Sequence, residues 1–253
     1  MTGTIYPSLR DRTVLITGGA TGIGASLVEH FARAGSRVAF CDIDQEHGLR
    51  LAASLADASH TPVFVLADLT IPAAITSMVA TARQRCGPIS ILLNNAANDM
   101  RHSIAETTPE SWDDGIAVNL KHHFFVAQAV IEDMKQLGGG SIVNFGSVSW
   151  KLKQGGMPVY TTSKAAVEGL TRSLARDLGP FNIRVNTLVP GWVMTEKQLR
   201  LWLDEKGKEE IARGQCIGRA LQPEHIARMA LFLAADDSEM CTAQDFIVDG
   251  GWV

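Results

Sequence analysis

The sequence predicts an α/β fold in which helices cover both faces of one doubly wound parallel sheet. Three observations point to it. Short β-branched runs alternate with longer helical patterns along the chain, several runs are almost continuously apolar, and a glycine-rich turn follows the first run. Continuous apolar runs are typical of strands buried on both faces. Alternation of strand and helix implies right-handed βαβ units, which build a single parallel sheet.

Seven strands are predicted from runs rich in β-branched and aliphatic residues. Each run is short enough to be a strand rather than a helix. The predicted strands are 13–17, 37–42, 62–68, 89–95, 141–147, 183–189 and 245–250.

The segments between the strands have the apolar spacing of helices. In the first of them, Ile23, Leu27 and Phe31 recur every four residues and so share one helix face. The predicted helical segments are 23–34, 45–57, 72–85, 109–136, 158–178 and 223–235. Because no linker, internal repeat or shift in composition interrupts residues 1–253, we expect one domain.

Residues 192–221 interrupt the alternation after the sixth strand with a charged helical segment. In doubly wound sheets, ligands bind outside the carboxyl ends of the strands, and this insertion follows such an end. We therefore expect a substrate lid at 192–221. The alternative is a peripheral helix with no part in the site.

Composition and charge exclude several classes of partner. The 253 residues are 46% hydrophobic and 20% charged, as in ordinary globular proteins with a sizeable core. A net charge of −4 with scattered basic residues gives no reason to expect nucleic acid or a membrane surface as partner. No stretch reaches the roughly 18 apolar residues of a membrane span. The N-terminal MTGTIYPSLRDR lacks a signal-peptide pattern, so we expect a cytoplasmic protein.

Cysteine and histidine spacing gives no sign of a metal site. The four cysteines, Cys41, Cys86, Cys216 and Cys241, form no C-x-x-C pair, and buried reduced thiols are the expectation. The adjacent His122 and His123 would not face each other on a helix. We therefore expect neither a disulfide framework nor a metal.

The glycine turn after the first strand has the pattern of a phosphate-binding loop. Gly18, Gly22 and Gly24 lie between a strand and an amphipathic helix. Glycines there allow a tight turn, bring backbone N–H groups close to a pyrophosphate and let the helix pack against the sheet. This placement predicts a dinucleotide site.

Asp42, at the end of the second strand, points to NAD as the dinucleotide. A carboxylate there accepts hydrogen bonds from both adenosine ribose hydroxyls and repels a 2′-phosphate. Neither Thr21 nor Ile43 offers a cation for that phosphate. A plain strand-end acid is the alternative. Asp68 and Leu69 end the third strand, where the adenine is expected, although Asp68 could equally cap a helix.

Helix 158–178 carries Tyr160 and Lys164 on one face, inside its apolar pattern. Oxidation of an alcohol needs a base, and tyrosine with a pKa of about 10 is too protonated at neutral pH. A cation one turn away favours the phenolate, so we expect Lys164 to lower the pKa of Tyr160 and also to hold the nicotinamide ribose. Ser147, at the end of the fifth strand, can hydrogen-bond the reacting oxygen.

Several motifs occur in the order in which one known family has them. They are TGGATGIG at 17–24, NNAA at 94–97, Asn119, Ser147, YTTSK at 160–164 and PGWVMT at 190–195. In this combination the sequence resembles the classical short-chain dehydrogenase/reductase family, from the glycine turn to the terminal DGGWV. The resemblance implies a single-domain Rossmann fold, a nicotinamide cofactor and a homotetramer. The family most often has glycine where this chain has Ala97, and we expect one added methyl group to be tolerated.

The same resemblance implies roles for individual residues. It implies a tetrad of Asn119, Ser147, Tyr160 and Lys164, in which Asn119 supports a water-linked proton exit past Lys164. It also implies that Thr195 contacts the nicotinamide carboxamide. The residues expected around the cofactor, besides Tyr160 and Lys164, are Gly18, Thr21, Gly22, Ile23, Gly24, Asp42, Ile43, Asp68, Leu69, Asn95, Ala96, Ala97, Pro190, Gly191, Val193 and Thr195.

The loops beside these motifs point to a polar substrate. NNAANDMRH, NFGSVSW, PGWVMTEKQ and GQCIGR resemble the bacterial aldose 1-dehydrogenases, NAD-dependent enzymes for D-xylose, L-arabinose or D-galactose. This resemblance implies oxidation of the C1 hydroxyl of a cyclic sugar to a lactone. An indole ring can cover sugar C–H groups while its N–H binds a hydroxyl. The expected substrate contacts are Asn98, Ser147, Ser149, Trp150, Tyr160, Trp192 and Gln198.

Other assignments stay open at this point. Trp150 could belong to the core and Gln198 to the surface. The enzyme could instead oxidise another polar secondary alcohol, such as a sugar alcohol or hydroxy acid. A non-catalytic NAD-binding sensor on the same fold is the alternative from a different class, and the intact tetrad argues against it.

Overall fold

The fold is built on a parallel sheet, seen in a computed structural model that describes residues 5–253. Its strands are β1 (Thr13–Thr17), β2 (Arg37–Asp42), β3 (Val63–Leu66), β4 (Ile91–Asn94), β5 (Gly140–Phe145), β6 (Ile183–Pro190) and β7 (Asp245–Val248). They pair in the order β3-β2-β1-β4-β5-β6-β7, and every pairing is parallel. The predicted doubly wound seven-stranded sheet is confirmed. Residues 1–4, part of the predicted domain and of the stretch without a signal-peptide pattern, lie outside the described residues.

Helices connect the strands and cover the sheet. They are α1 (Gly22–Arg33), α2 (Gln45–Ser54), α3 (Pro72–Cys86), α4 (Pro109–Ile116), α5 (His122–Gln136), α6 (Pro158–Leu178), α7 (Glu196–Leu201), α8 (Glu205–Gly214) and α9 (Pro223–Ala234). Within residues 5–253, none of the helices combines the length and the hydropathy that crossing a bilayer requires.

Two apolar layers hold the helices to the sheet. On one face, α1 and α9 pack through buried residues that include Leu27, Phe31 and Ile226. On the other face, α3, α5 and α6 contribute Met78 and Leu174, among others. Because side chains alternate along a strand, one strand feeds both layers. The sheet is thus buried on both faces, as its apolar runs predict.

The predicted helix 109–136 is interrupted where Asn119 lies. A π-helical turn, Ala117–Lys121, separates α4 from α5. The Asn119 amide nitrogen donates to the Gly115 carbonyl, four residues earlier, at 3.0 Å. The side chain thereby uses the carbonyl that an α-helical N–H would bond. Such π turns are frequent at functional sites.

The strand order reverses between β1 and β4. β1 leads into α1 and β4 into a long loop that reaches α4, and the two strands are neighbours. A crevice opens at such a switch point, outside the carboxyl ends of the strands. The glycine turn, the NNAA segment, Ser147 and the 192–221 insertion all follow strands at this edge.

Candidate active site

The glycine turn brings the start of α1 against the neighbouring loop. Gly18 and Gly22 have φ of +65° and +55°. A Cβ on Gly18 would lie 2.6 Å from the Ala96 Cα, and one on Gly24 would lie 1.8 Å from the Gly18 oxygen. The Asn95 amide donates to that same oxygen at 2.9 Å. The turn therefore depends on glycine, and it leaves N–H groups at the start of α1 for an anion.

The 192–221 insertion also lies close to this glycine turn. A Cβ on Gly22 would meet the Thr195 methyl group at 3.1 Å. Ile23, Asn95 and Thr195 line the same cavity together with Ala97, Pro190, Gly191 and Val193. This cradle, with its close backbone approach, fits a dinucleotide.

Asp42 is held in place beside the turn. Its carboxylate accepts from the Ala20 N–H at 3.0 Å and from the Asp44 N–H at 3.1 Å. These bonds leave acceptor capacity on both oxygens for ribose hydroxyls. The neighbouring Ile43 is 73% exposed and adds no charge.

Asp68 is exposed, and Leu69 is buried beside it. The Asp68 carboxylate accepts from the Thr70 N–H at 2.9 Å and from its hydroxyl at 2.7 Å. Because α3 begins later, with Ile71 as its N-cap residue, Asp68 does not cap that helix. The carboxylate instead closes a local turn after β3.

One cavity of about 450 Å³ brings three members of the predicted tetrad together. Ser147, Tyr160 and Lys164 all line it. Asn119 lines a second cavity, of about 300 Å³, which also borders Tyr160. The Asn119 side chain accepts from the Asn98 N–H at 2.8 Å and donates to the Asn98 carbonyl at 3.1 Å. Asn119 thus fixes the loop that separates the two cavities.

The electrostatics of Tyr160 differ from the expectation. Burial raises the pKa of Tyr160 to about 12, and the Asp99 carboxylate adds to the rise. A hydrogen bond with Ser147 and the positive charge of Arg101 oppose it. Tyr160 is therefore a neutral phenol at pH 7 in this arrangement.

The prediction that Lys164 lowers the pKa of Tyr160 is wrong for this arrangement. The Lys164 Nζ donates to the Phe145 carbonyl at 2.7 Å and lies 5.7 Å from the centre of the Tyr160 ring. Burial lowers the pKa of Lys164 itself to about 7. The amine therefore carries only part of a charge at neutral pH, and a backbone carbonyl already binds it.

Two buried histidines lie behind the site. His122 Nε2 is 3.0 Å from the Ala96 carbonyl, whereas neither ring nitrogen of His123 has a partner among residues 5–253. Burial lowers the pKa of His122 to about 3, and it lowers the pKa of His123 well below its usual value. Both rings are therefore neutral, so His122 donates its Nε2–H to Ala96.

The insertion is tied down at both ends. Val193 and Leu221 form an isolated parallel bridge, and the Met194 N–H donates to the Leu221 carbonyl at 2.8 Å. Trp192 stacks on Trp252 of the C-terminal segment, with ring centres 6.5 Å apart. The insertion therefore forms one wall of the main cavity.

Of the predicted substrate contacts, Ser149, Trp192 and Gln198 line the main cavity with Ser147 and Tyr160. The Ser149 hydroxyl is buried and has no hydrogen-bond partner among residues 5–253. A polar ligand in the cavity would satisfy it. Asn98 lies elsewhere and lines the second cavity.

The structure does not bring Trp150 into either cavity. Its indole N–H donates to the Glu168 carboxylate at 3.2 Å, and the Lys151 Nζ lies 4.2 Å from the centre of its ring. The predicted contact of Trp150 with substrate is therefore corrected to a packing role beside α6. β5 ends at Phe145, so Trp150 sits beyond the turn that presents Ser147.

Other residues of the cavity have no counterpart among the predicted substrate contacts. Trp252 lies four residues beyond β7. Its position just past a strand, at the edge where ligands bind, is the one sequence feature that could have indicated it. The charged and amide side chains among the others are Asp99, Arg101, Lys153, Gln154 and Glu210. Glu210 lies on α8, inside the predicted lid and four residues before GQCIGR, but no residue pattern singles it out.

Comparison with known proteins places this geometry in a family. A family model described as enoyl-(acyl carrier protein) reductase matches residues 18–253. The chain is 47% identical over 247 residues to the "Probable galactose dehydrogenase GalD" of Rhizobium meliloti, covering 97% of this chain and 96% of that protein. It is 44% identical over 252 residues to the D-xylose 1-dehydrogenase of Caulobacter vibrioides, with both chains covered completely.

A solved structure agrees over the full fold. A Serratia marcescens short-chain dehydrogenase/reductase with two substitutions superposes with a TM-score of 0.89 at 31% identity, covering 97% of this chain and 99% of that one. The chain belongs to the short-chain dehydrogenase/reductase family.

Proposed function

We propose that this protein oxidises the C1 hydroxyl of a cyclic aldose, transferring hydride to NAD and releasing the aldonolactone. The observation that carries the proposal is the lining of the main cavity. Beside Ser147 and Tyr160 it holds an ionised Asp99, the amide of Gln198 and the Ser149 hydroxyl, which has no hydrogen-bond partner among residues 5–253. Relatives that align over the whole chain are named for galactose and D-xylose.

The tetrad residues have separate roles in this proposal. The phenolate form of Tyr160 accepts the proton of the C1 hydroxyl, and Ser147 donates a hydrogen bond to the same oxygen. Because the pKa of Tyr160 is about 12, turnover in the oxidative direction rises with pH over the neutral range. Lys164, which donates to the Phe145 carbonyl here, would hold the nicotinamide ribose, and Asn119 would support proton exit.

NAD is the cofactor we propose, and the bound nicotinamide supplies the hydride acceptor. The chain's own contribution is positioning. The glycine turn holds the pyrophosphate, Asp42 accepts from the adenosine ribose, and Thr195 contacts the carboxamide. The Asp42 carboxylate, already fixed by Ala20 and Asp44, repels a 2′-phosphate.

We also propose that residues 192–221 act as a substrate lid and that the protein is a homotetramer. Two observations support the lid. The segment forms a wall of the cavity, and among residues 5–253 the side chains of α7 bond the opposite loop only at Asn98 and Asp99. Support for assembly is exposed apolar surface, such as Phe124 and Phe125 on α5. Light scattering on the purified protein measures the mass of the assembly.

A substrate panel tests the proposed reaction. Purified protein is given pentoses, hexoses and their polyols with NAD or NADP, and the absorbance of the reduced cofactor is followed. We expect an aldose with NAD to have the highest kcat/KM. Faster turnover of a polyol or hydroxy acid would refute aldose oxidation. If the protein bound NAD but reduced it with none of the alcohols, the proposed enzymatic function would be refuted and the NAD-binding sensor would remain.

A further inference from the structure

The carboxylate of Asp99 lies at the centre of a hydrogen-bonded group that joins the loop after β4 to the insertion. Lys197 donates to one carboxylate oxygen at 2.6 Å, and the Gln198 amide nitrogen donates to the other at 2.6 Å. The Trp192 indole N–H in turn donates to the Gln198 amide oxygen at 3.0 Å. Each side chain fixes the orientation of the next, and the indole fixes which end of the amide faces Asp99.

This group faces the reacting centre. Asp99, Trp192 and Gln198 line the main cavity with Ser147 and Tyr160, whereas Lys197 does not line it. The Asp99 charge is close enough to Tyr160 to raise its pKa. Although Asp99 is partly buried, the two donors hold its own pKa below the usual value, so it remains ionised.

The group keeps hydrogen-bonding capacity that the chain does not use. A carboxylate offers about four acceptor sites, and an amide nitrogen offers about two donors. Among the bonds of residues 5–253, two are accepted by Asp99 side-chain oxygens from other side chains, and the Gln198 amide nitrogen donates one. An oriented acceptor and an oriented donor therefore stand side by side at the cavity wall.

Two neighbouring hydroxyl groups on a sugar ring match that arrangement. One hydroxyl donates to the carboxylate, and the next accepts from the amide. The Trp192 ring, stacked on Trp252, offers an apolar face for the C–H groups between them. A ligand with an isolated alcohol would leave the remaining acceptor and donor sites of both groups without partners, which costs binding energy.

We propose that Asp99 and Gln198 form a diol-recognition pair and that Asp99 is the specificity-determining residue for polyhydroxylated substrates. This inference rests on the proposed function, because it assigns a part of the same site. Lys197 is a positioning residue that orients the carboxylate and does not touch the substrate.

The test compares two substrates that share the reacting hydroxyl. One is the best aldose from the panel, and the other is tetrahydropyran-2-ol, which keeps the ring oxygen and the C1 hydroxyl but has no other hydroxyl. The measured quantity is the ratio of the two kcat/KM values. A change in the base Tyr160 affects both substrates and cancels in this ratio.

Asp99→Asn replaces the charged acceptor with a neutral amide, and Gln198→Met removes the donor. Lys197→Met is the matched control, which removes the ion pair together with a 3.4 Å bond to the Asn98 side chain. We expect the ratio to fall at least about 10-fold in Asp99→Asn, the loss that follows from one hydrogen bond to a charged group. Gln198→Met should lower it by a smaller factor. Lys197→Met should keep the ratio within about 3-fold of the wild type, since the carboxylate remains.

The outcomes separate this proposal from the proposed function. If the protein oxidises an aldose but Asp99→Asn leaves the ratio unchanged, the diol-recognition pair is wrong and the proposed aldose dehydrogenase activity stands. An equal fall in Lys197→Met and Asp99→Asn would show that the group only positions the insertion, which also overturns the proposal. Failure of the wild type on every aldose overturns both. Circular dichroism and thermal unfolding confirm that each variant is folded.

Discussion

Replacement of Gly24 by alanine probes the glycine turn with a single methyl group. The new Cβ would lie 1.8 Å from the Gly18 oxygen and 2.9 Å from the Asn95 side-chain nitrogen. Interior atoms are already close-packed, and the backbone oxygen has no rotamer by which to retreat. The start of α1 must therefore move away from the turn by about 1 Å or more.

The size of the effect follows from that displacement. Overpacking of this kind costs about 1–3 kcal/mol of the free energy of unfolding. It also moves the N–H groups that we propose for the pyrophosphate. Because a misplacement of about 1 Å can cost about 100-fold in rate, we expect kcat/KM for NAD to fall about 100-fold in Gly24→Ala.

Gly169→Ala is the matched control for this prediction. Gly169 lies on an exposed face inside α6, and among residues 5–253 no atom beyond its chain neighbours and the adjacent helix backbone lies within 4 Å of its Cβ position. Alanine there should raise the free energy of unfolding by up to about 1 kcal/mol and leave NAD binding unchanged. The assays are urea unfolding, NAD titration and steady-state kinetics at varied NAD concentration. Wild-type NAD affinity in Gly24→Ala would refute the role of the turn.

Four further predictions concern the chemistry. Tyr160→Phe should lower kcat by about 100-fold to 10,000-fold and leave NAD affinity unchanged, measured by calorimetry; retained turnover would assign the base elsewhere. Asp42→Ala should lower the NAD-to-NADP ratio of kcat/KM by about 10-fold or more, and an unchanged ratio would contradict the ribose contact. The Asp99 charge raises the pKa of Tyr160, and Lys197 offsets that charge. The rise of kcat with pH should therefore move to lower pH in Asp99→Asn and to higher pH in Lys197→Met. Shifts in the same direction in both variants would refute this. Burial depresses the pKa of His123, so below about pH 6.5 the unfolded state binds a proton that the folded state does not. The free energy of unfolding, measured with urea, should therefore fall from pH 7 to pH 5. A constant value would contradict the burial of His123.

The parts of the fold that repeat a simple pattern were predictable from the sequence. β1 and β2 begin and end where their apolar runs do. Other predicted strands extend beyond the strands that the structure shows. Residues 89–95 contain β4 only at Ile91–Asn94, although Ile89 is also fully buried. Burial sets the apolar pattern, whereas a strand also needs ladder hydrogen bonds.

The site was predictable where a motif fixes it and unpredictable where side chains from distant segments meet. Ser147, Tyr160 and Lys164 come together because strand ends and one helix carry them to the same edge. The bond from Lys164 to the Phe145 carbonyl depends on local packing that no spacing encodes. Likewise, the contact of Asp99 with Gln198 joins segments 99 positions apart.

The bridge between Val193 and Leu221 has a consequence for how substrate range can change. It brings the two ends of the insertion together on the framework of the sheet, so the intervening chain leaves and returns at nearly one point. The entropy of closing such a loop grows only slowly with its length. Residues 194–220 can thus be exchanged for a segment of different length or sequence as a unit. Tyr160 and Lys164 lie outside this segment and stay in place, whereas an exchange alters Gln198 and Glu210 in the cavity wall and has to keep Thr195.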